Sequence, residues 1–280
     1  MTVPIGLSLM LEDAWREAAL PLFERGDVDA LEWSFDQAWR RPLPSWAAAL
    51  LDHYAAADRL WGHGVTMSPG SVDAGDRHEA WLQRLQHELP QRRLRGVSEH
   101  FGFMVAGAID LGAPLPLPDG PGARAVLRRN LARLAAVAGV PVGIENLALA
   151  LCRDDAWQQG PMLADVLAHV DGYLVLDLHN LWCQLVNFEL DPLATLQRYP
   201  LQRARCIHVS GGSWWGEARF RRDTHDDEIP EPVLALLQQA VPLCPALEVV
   251  VIERLGETLV GHPDALQRDL ERVRARLGAA

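Results

Sequence analysis

Residues 173–180 read YLVLDLHN, with Leu174, Val175 and Leu176 apolar on both parities. A strand with one wet face alternates apolar and polar positions, whereas a strand buried on both faces does not. The segment therefore predicts a strand of a parallel sheet covered by helices, and it ends in the polar residues Asp177, His179 and Asn180. Seven other runs read the same way: Ile5–Leu9, Ala30–Phe35, Leu60–Met67, Arg95–Phe101, Val140–Leu147, Ala204–Gly211 and Glu248–Leu255. Helical period fills several intervals between them. Leu11, Trp15, Ala18, Leu22 and Phe23 share one face; Trp81, Leu85 and Leu89 share another. Val126, Leu127, Leu131, Leu134 and Val137 make a third stripe, stopped by Gly139 and Pro141, and Leu266, Leu270, Val273 and Leu277 make a fourth. Asp36–Arg59 is less regular, and Gly107–Gly122 reads as a Pro/Gly loop. Eight runs, each followed by helix or loop, predict an α/β fold, a (β/α)8 TIM barrel, with residues 1–280 forming one domain. A doubly wound open sheet is the alternative.

The composition sets outer bounds. With 280 residues, 49% apolar and 22% charged, the chain can bury a large core and is not a disordered type. A net charge of −11 without a basic cluster argues against general nucleic-acid binding. The longest run without a polar side chain, Leu134–Ile144, falls well short of the roughly 20 residues of a membrane span. The N-terminal MTVPIGLSLMLEDAW has no basic n-region. Cys152, Cys183, Cys206 and Cys244 form no CxxC pair and read as buried free thiols. Together these features predict a cytoplasmic protein with no membrane contact. Trp214-Trp215, in a polar stretch, could line a pocket.

A barrel carries its active site at the C-terminal ends of its strands. His63 lies in the third run, His100 falls at the end of the fourth, Glu145-Asn146 of the fifth and Asp177-Leu178-His179-Asn180 of the sixth. His208 lies in the seventh, Glu253-Arg254 ends the eighth, and Asp223 and His225 lie between those two. So many carboxylates and imidazoles at one mouth would repel one another or be desolvated; divalent cations remove that conflict. The nine candidate ligands, His63, His100, Glu145, Asp177, His179, His208, Asp223, His225 and Glu253, exceed the four to six that one ion needs, so more than one ion is expected. Imidazole mixed with carboxylate fits Fe, Mn or catalytic Zn. Glu32 could join the site, while His53, His78, His87, His169 and His262 read as surface or structural residues.

Taken in order, GHGVTMSPG (62–70), VSEHFGF (97–103), PLPLP (114–118), IEN (144–146), LDLHN (176–180), IHVSGG (207–212), DTHD (223–226) and IERLGE (252–257) resemble the DUF692 or UPF0276 family, the multinuclear non-haem iron-dependent oxidative enzymes. The resemblance implies a xylose-isomerase-like TIM barrel with two or three iron ions at its mouth. His63, His100 and Glu145 would hold one; Glu145 would bridge to a second completed by Asp177, His208 and Glu253; His179, Asp223 and His225 would hold a third. It implies O2 as cosubstrate, a cysteine-containing precursor peptide oxidised at cysteine or adjacent backbone, and a small leader-binding partner protein. Glu145, Asn146, Asn180 and Arg254 would serve the chemistry directly or in support. The chain departs from the common family pattern at His179, often Asn, at Gly212, often His, and at Leu147, commonly Pro. The same barrel also admits a Mn-, Mg- or Zn-dependent sugar isomerase or epimerase using Glu145, Asp177, His208 and Glu253. It further admits a trinuclear zinc phosphodiesterase, or a metal-binding protein without catalysis.

Overall fold

The computed structural model describes residues 3–39, 42–72, 75–107, 109–216 and 220–278. Eight parallel strands close a barrel: β1 (Ile5–Ser8), β2 (Ala30–Trp33), β3 (Leu60–His63), β4 (Val97–His100), β5 (Val142–Glu145), β6 (Tyr173–Asp177), β7 (Ala204–Ser210) and β8 (Val249–Glu253). Neighbours in the barrel are neighbours in sequence, and β1 pairs with β8 to close it. The closed ring decides against the open sheet.

The apolar runs form strands because both their faces are covered. Outward residues such as Leu31, Leu60, Ile144, Leu174, Ile207 and Val250 join one core with the surrounding helices. Inward residues Ala30, Trp61, Tyr173, Val175, Cys206, Val249 and Val251 fill the lower barrel. The four predicted helical stripes lie on helices Asp13–Glu24, Gly75–Glu88, Pro121–Ala138 and Ala265–Gly278. Gly139, at φ +61°, closes the third of these as a left-handed cap.

The structure corrects five local expectations. Several runs end earlier as strands than their apolar character suggests. Leu60–Met67 stops at His63 because Asp36 accepts the Val65 and Thr66 N–H groups and Glu99 accepts that of Met67, which turns the chain away. Tyr173–Asn180 stops at Asp177, whose Oδ1 accepts the Asn180 N–H and caps helix Leu178–Asn187. The irregular stretch 36–59 contains helix Ser45–Ala56. The loop 107–122 contains Ile109–Leu115, which pairs antiparallel with Phe103–Ala106 in a hairpin on the mouth. A second hairpin there joins Trp214–Trp215 to Phe220–Arg221. Cys183, Cys206 and Cys244 are buried and free, as read; Cys152 is exposed. Among the described residues no helix is long and apolar enough to cross a membrane.

Candidate metal centre

Parallel pairing sets the height of each side chain in the barrel. His100 lies beside Glu145, Asp177 beside His208 and Glu253 beside Ser210. His63, His100, Glu145, Asp177 and Glu253 are each the last residue of a strand, so they converge where the ring opens.

Two groups of donor atoms meet around Glu145. His63, His100 and Glu145 offer atoms within 4.8 Å of one another, and so do Glu145, Asp177, His208 and Glu253. Glu145 Oε2 is 3.2 Å from His63 Nε2 and 3.2 Å from His100 Nε2; Oε1 is 3.3 Å from His208 Nδ1. His208 Nδ1 is also 3.4 Å from Glu253 Oε2. All but the partly buried His100 are nearly inaccessible to solvent. Glu145 Oε2, Asp177 Oδ2 and Glu253 Oε2 are buried with no hydrogen-bond partner among the described residues. An anionic oxygen left so is costly unless a cation accompanies it. The donor set therefore fits multinuclear metal, and the imidazole–carboxylate mixture fits Fe, Mn or catalytic Zn.

The surrounding polar residues orient these donors. His63 Nδ1 meets Ser98 Oγ at 2.8 Å, leaving Nε2 toward Glu145. His208 Nε2 meets Glu32 Oε2 at 3.0 Å, leaving Nδ1 toward Glu145 and Glu253. A carboxylate on the far nitrogen fixes tautomer and ring direction in this way. Glu32 thus enters the site beneath His208. Cys206 completes a third close group with Glu32 and His208, but burial pushes its thiol up to about 12 and keeps it protonated. Asn146 Nδ2 donates to the Asp177 carbonyl (2.9 Å), and its Oδ1 accepts the Asp177 N–H (2.8 Å). Asn180 Nδ2 donates to the Asn146 carbonyl at 2.9 Å. Both asparagines therefore hold Asp177, with one of its oxygens capping the helix and the other facing the cluster.

Burial alone would raise the pKa of Glu145, yet the His100 and His208 imidazoles hold it well below the usual carboxylate range. Burial lowers that of His63, but Glu145 and Glu32 outweigh it and lift it to about 9. Burial, with Asp223 and Glu145 nearby, pushes Asp177 well up. These opposed shifts mark a site where charge is concentrated and not yet balanced.

Three further candidates lie beside the two groups, with His225 Nε2 3.8 Å from Glu253 Oε2. Asp223 Oδ1 is 2.9 Å from both His179 Nδ1 and His225 Nε2. The His179, Asp223 and His225 donors do not converge as the other groups do. Arg254 turns from the mouth, donating to Thr258 Oγ1 at 2.8 Å and facing Asp269 Oδ2 at 3.6 Å. Gly212 has a steric reason for its identity: a Cβ there would come within 2.4 Å of the Arg222 carbonyl oxygen and 2.7 Å of His179 Cε1.

Sequence reading passed over Glu99 and Arg221. Glu99 is fully buried, and burial with Asp36 nearby raises its pKa to about 8. Its position next to His100, hence on the opposite face of the strand, was the available signal. Arg221 had none, because its contacts depend on the second hairpin.

Two clefts flank the cluster and share His100. One, of about 320 Å³, runs past Leu9, Met10, Trp33 and Gln37 to His63 and Glu253. The other, of about 400 Å³, lies between the hairpins and is lined by Pro114, Leu147, Leu149, Trp215 and Phe220, with Arg222 at hand. Trp215 thus lines a pocket, as its setting suggested.

The profile of the family described as RiPP precursor modification enzyme MbnB/TglH/ChrH matches residues 28–277. A UPF0276 protein of Caulobacter vibrioides is 32% identical over 179 residues, 64% of this chain and 62% of that one. A UPF0276 protein of Streptomyces avermitilis is 28% identical over 264 residues, 88% of this chain and 53% of that one. The chain therefore spans only about half to three fifths of these relatives. Among solved structures, a xylose isomerase domain protein from Planctomyces limnophilus superposes with a TM-score of 0.64 at 13% identity over the whole of both chains. Endonuclease IV from Thermus thermophilus does so at 0.59 and 15% identity, over 99% of this chain and 100% of that one. At such identities the likeness concerns the xylose-isomerase-like barrel alone.

Proposed function

Because the chain belongs to the MbnB/TglH/ChrH family of RiPP precursor modification enzymes, we propose that it oxidises a cysteine, or the backbone beside it, in a ribosomally made precursor peptide, using iron and O2. His63, His100 and Glu145 would hold one ion; Glu145, Asp177, His208 and Glu253 would hold a second. The observation that carries this reading is Glu145, whose two buried oxygens face two separate donor groups, Oε2 toward His63 and His100 and Oε1 toward His208. Iron bound there supplies one-electron chemistry with O2 and a seat for a substrate thiolate.

The rest falls to the protein. Glu32 and Ser98 keep the imidazole lone pairs pointed at the cluster. Asn146 and Asn180 keep Asp177 from rotating away. The cleft between the hairpins offers Trp215, Leu147, Leu149 and Phe220 to an extended peptide, which would exclude water beside His100. A small partner protein that binds the leader would deliver the peptide.

A mononuclear sugar isomerase needs only the group of Glu145, Asp177, His208 and Glu253; the His63–His100 pair is surplus to it. The test is elemental analysis of anaerobically purified protein, followed by O2 uptake with cysteine peptides. Two irons per chain and peptide-dependent uptake are expected. A single Mn or Zn with anaerobic turnover of a ketose would overturn the reading.

A further inference from the structure

We propose that Arg221 serves as a cation built into the mouth, so that His179 ligates no metal and the His179–Asp223–His225 position takes no third ion. The inference deepens the dinuclear reading and rests on it only for the total count.

Arg221 is buried on the second hairpin. Its backbone is fixed by Asn187, whose Nδ2 donates to the Arg221 carbonyl (2.9 Å) and whose Oδ1 accepts the Arg221 N–H (2.8 Å). The guanidinium lies 4.5 Å from the Trp182 ring centre and 5.3 Å from that of Trp214. Such faces favour a cation. Its Nη2 is 3.2 Å from His179 Nε2.

The hydrogen-bond chemistry then follows. Arginine only donates, so His179 Nε2 must accept. A neutral imidazole that accepts at Nε2 carries its proton on Nδ1, which donates to Asp223 Oδ1 at 2.9 Å. Neither nitrogen keeps a free lone pair: one is protonated and the other faces a guanidinium. Geometry agrees. Ligands to one ion lie about 2.0–2.2 Å from it, so no two are more than about 4.4 Å apart. His179, Asp223 and His225 are not among the sets whose donor atoms all fall within 4.8 Å of one another. Asp223 Oδ1 contacts both imidazoles at 2.9 Å, and His225 Nε2 faces Glu253 Oε2 at 3.8 Å, away from the His179–Arg221 contact. No side chain at 212 can supply a replacement donor, since its Cβ would meet His179 and the Arg222 carbonyl.

The test loads wild type, His179→Phe and His179→Ala with excess Fe(II) anaerobically and counts bound iron after desalting. The phenylalanine keeps the ring volume, so one variant should fold even if the other does not. Two ions per chain are expected in wild type and in each folded variant. Three in wild type, or one fewer in a folded variant, overturns the proposal. Glu145→Gln run alongside reports on the dinuclear reading separately, because the comparison of wild type with the His179 variants does not depend on it. A spectroscopic readout completes the test: in zinc-loaded protein the ¹⁵N imidazole signals of His179 should show Nδ1–H and shift in Arg221→Met. A metal-bound His179 signal, or no shift, also overturns it.

Discussion

Glu145 sets the behaviour of the centre because it belongs to both donor groups. Glu145→Gln is expected to abolish binding of both ions, measured as iron per chain; loss of only one would refute the bridge. His63 governs a second outcome. In the metal-free protein its pKa is near 9, raised by Glu145 and Glu32 against the effect of burial. Metal must displace that proton. Affinity should therefore weaken by at least about tenfold for each pH unit below 9, and isothermal titration in several buffers should detect released protons at pH 7. A pH-independent affinity would mean that His63 does not bind metal. At this scale the sequence was largely readable. Residues at strand ends announce themselves, because a polar group closing a doubly buried run has only the mouth to point into. The surroundings of His179 were not legible: it lies in the first turn of helix Leu178–Asn187, and a hairpin distant in sequence brings Arg221 to its far nitrogen.

Elements were legible where their period was strong and obscure where a side chain intercepts the backbone. Asp36, Glu99 and Asp177 each accept N–H groups that a longer strand would have paired. The hairpin Phe103–Leu115 was hidden because Gly112 and Pro114 interrupt its second strand, Ile109–Leu115, which is exposed along most of its length. Helix packing gives a sharper case. Gly160 lies inside helix Arg153–Val170, where a Cβ would come within 2.7 Å of the Arg198 carbonyl oxygen and 3.0 Å of the Tyr199 N–H nitrogen. Alanine favours a helix over glycine by about 1 kcal/mol. Backbone cannot yield as a flexible side chain can, so Gly160→Ala should still destabilise the fold by about 1–3 kcal/mol. Urea unfolding should show a lower midpoint; a raised midpoint would show that the segment 198–199 moves freely.

Across the whole molecule, the candidate metal centre lies at one end of the barrel and an ionic tie at the other. Glu248 accepts from Arg205 Nε at 2.5 Å and from Arg95, and Arg205 lies over the Trp61 and Tyr173 rings. Burial raises the pKa of Glu248, but the two guanidinium groups overcome it and hold it below its ordinary value of 4.5. A depressed carboxylate adds stability above its unfolded pKa and loses it as pH falls. Glu248→Gln should therefore cost about 1–2 kcal/mol at pH 7, allowing for partial exposure, and the gap should narrow as pH drops through 4.5. A pH-independent gap in thermal or urea unfolding would assign the effect to packing.

The filled lower barrel has a consequence for traffic. Trp61, Ala30 and Val249 roof a hollow of about 510 Å³ on the floor, and together with Tyr173, Val175, Cys206 and Val251 they fill the barrel between that hollow and the cluster. Among the described residues the cluster therefore opens only toward the mouth, through the two clefts that share His100, and on the proposed reading peptide and co-reactant enter and leave there. A peptide seated in the cleft between the hairpins would leave the cleft past Leu9 and Met10 to a small co-reactant, so steady-state kinetics should follow a random order of arrival rather than a compulsory one.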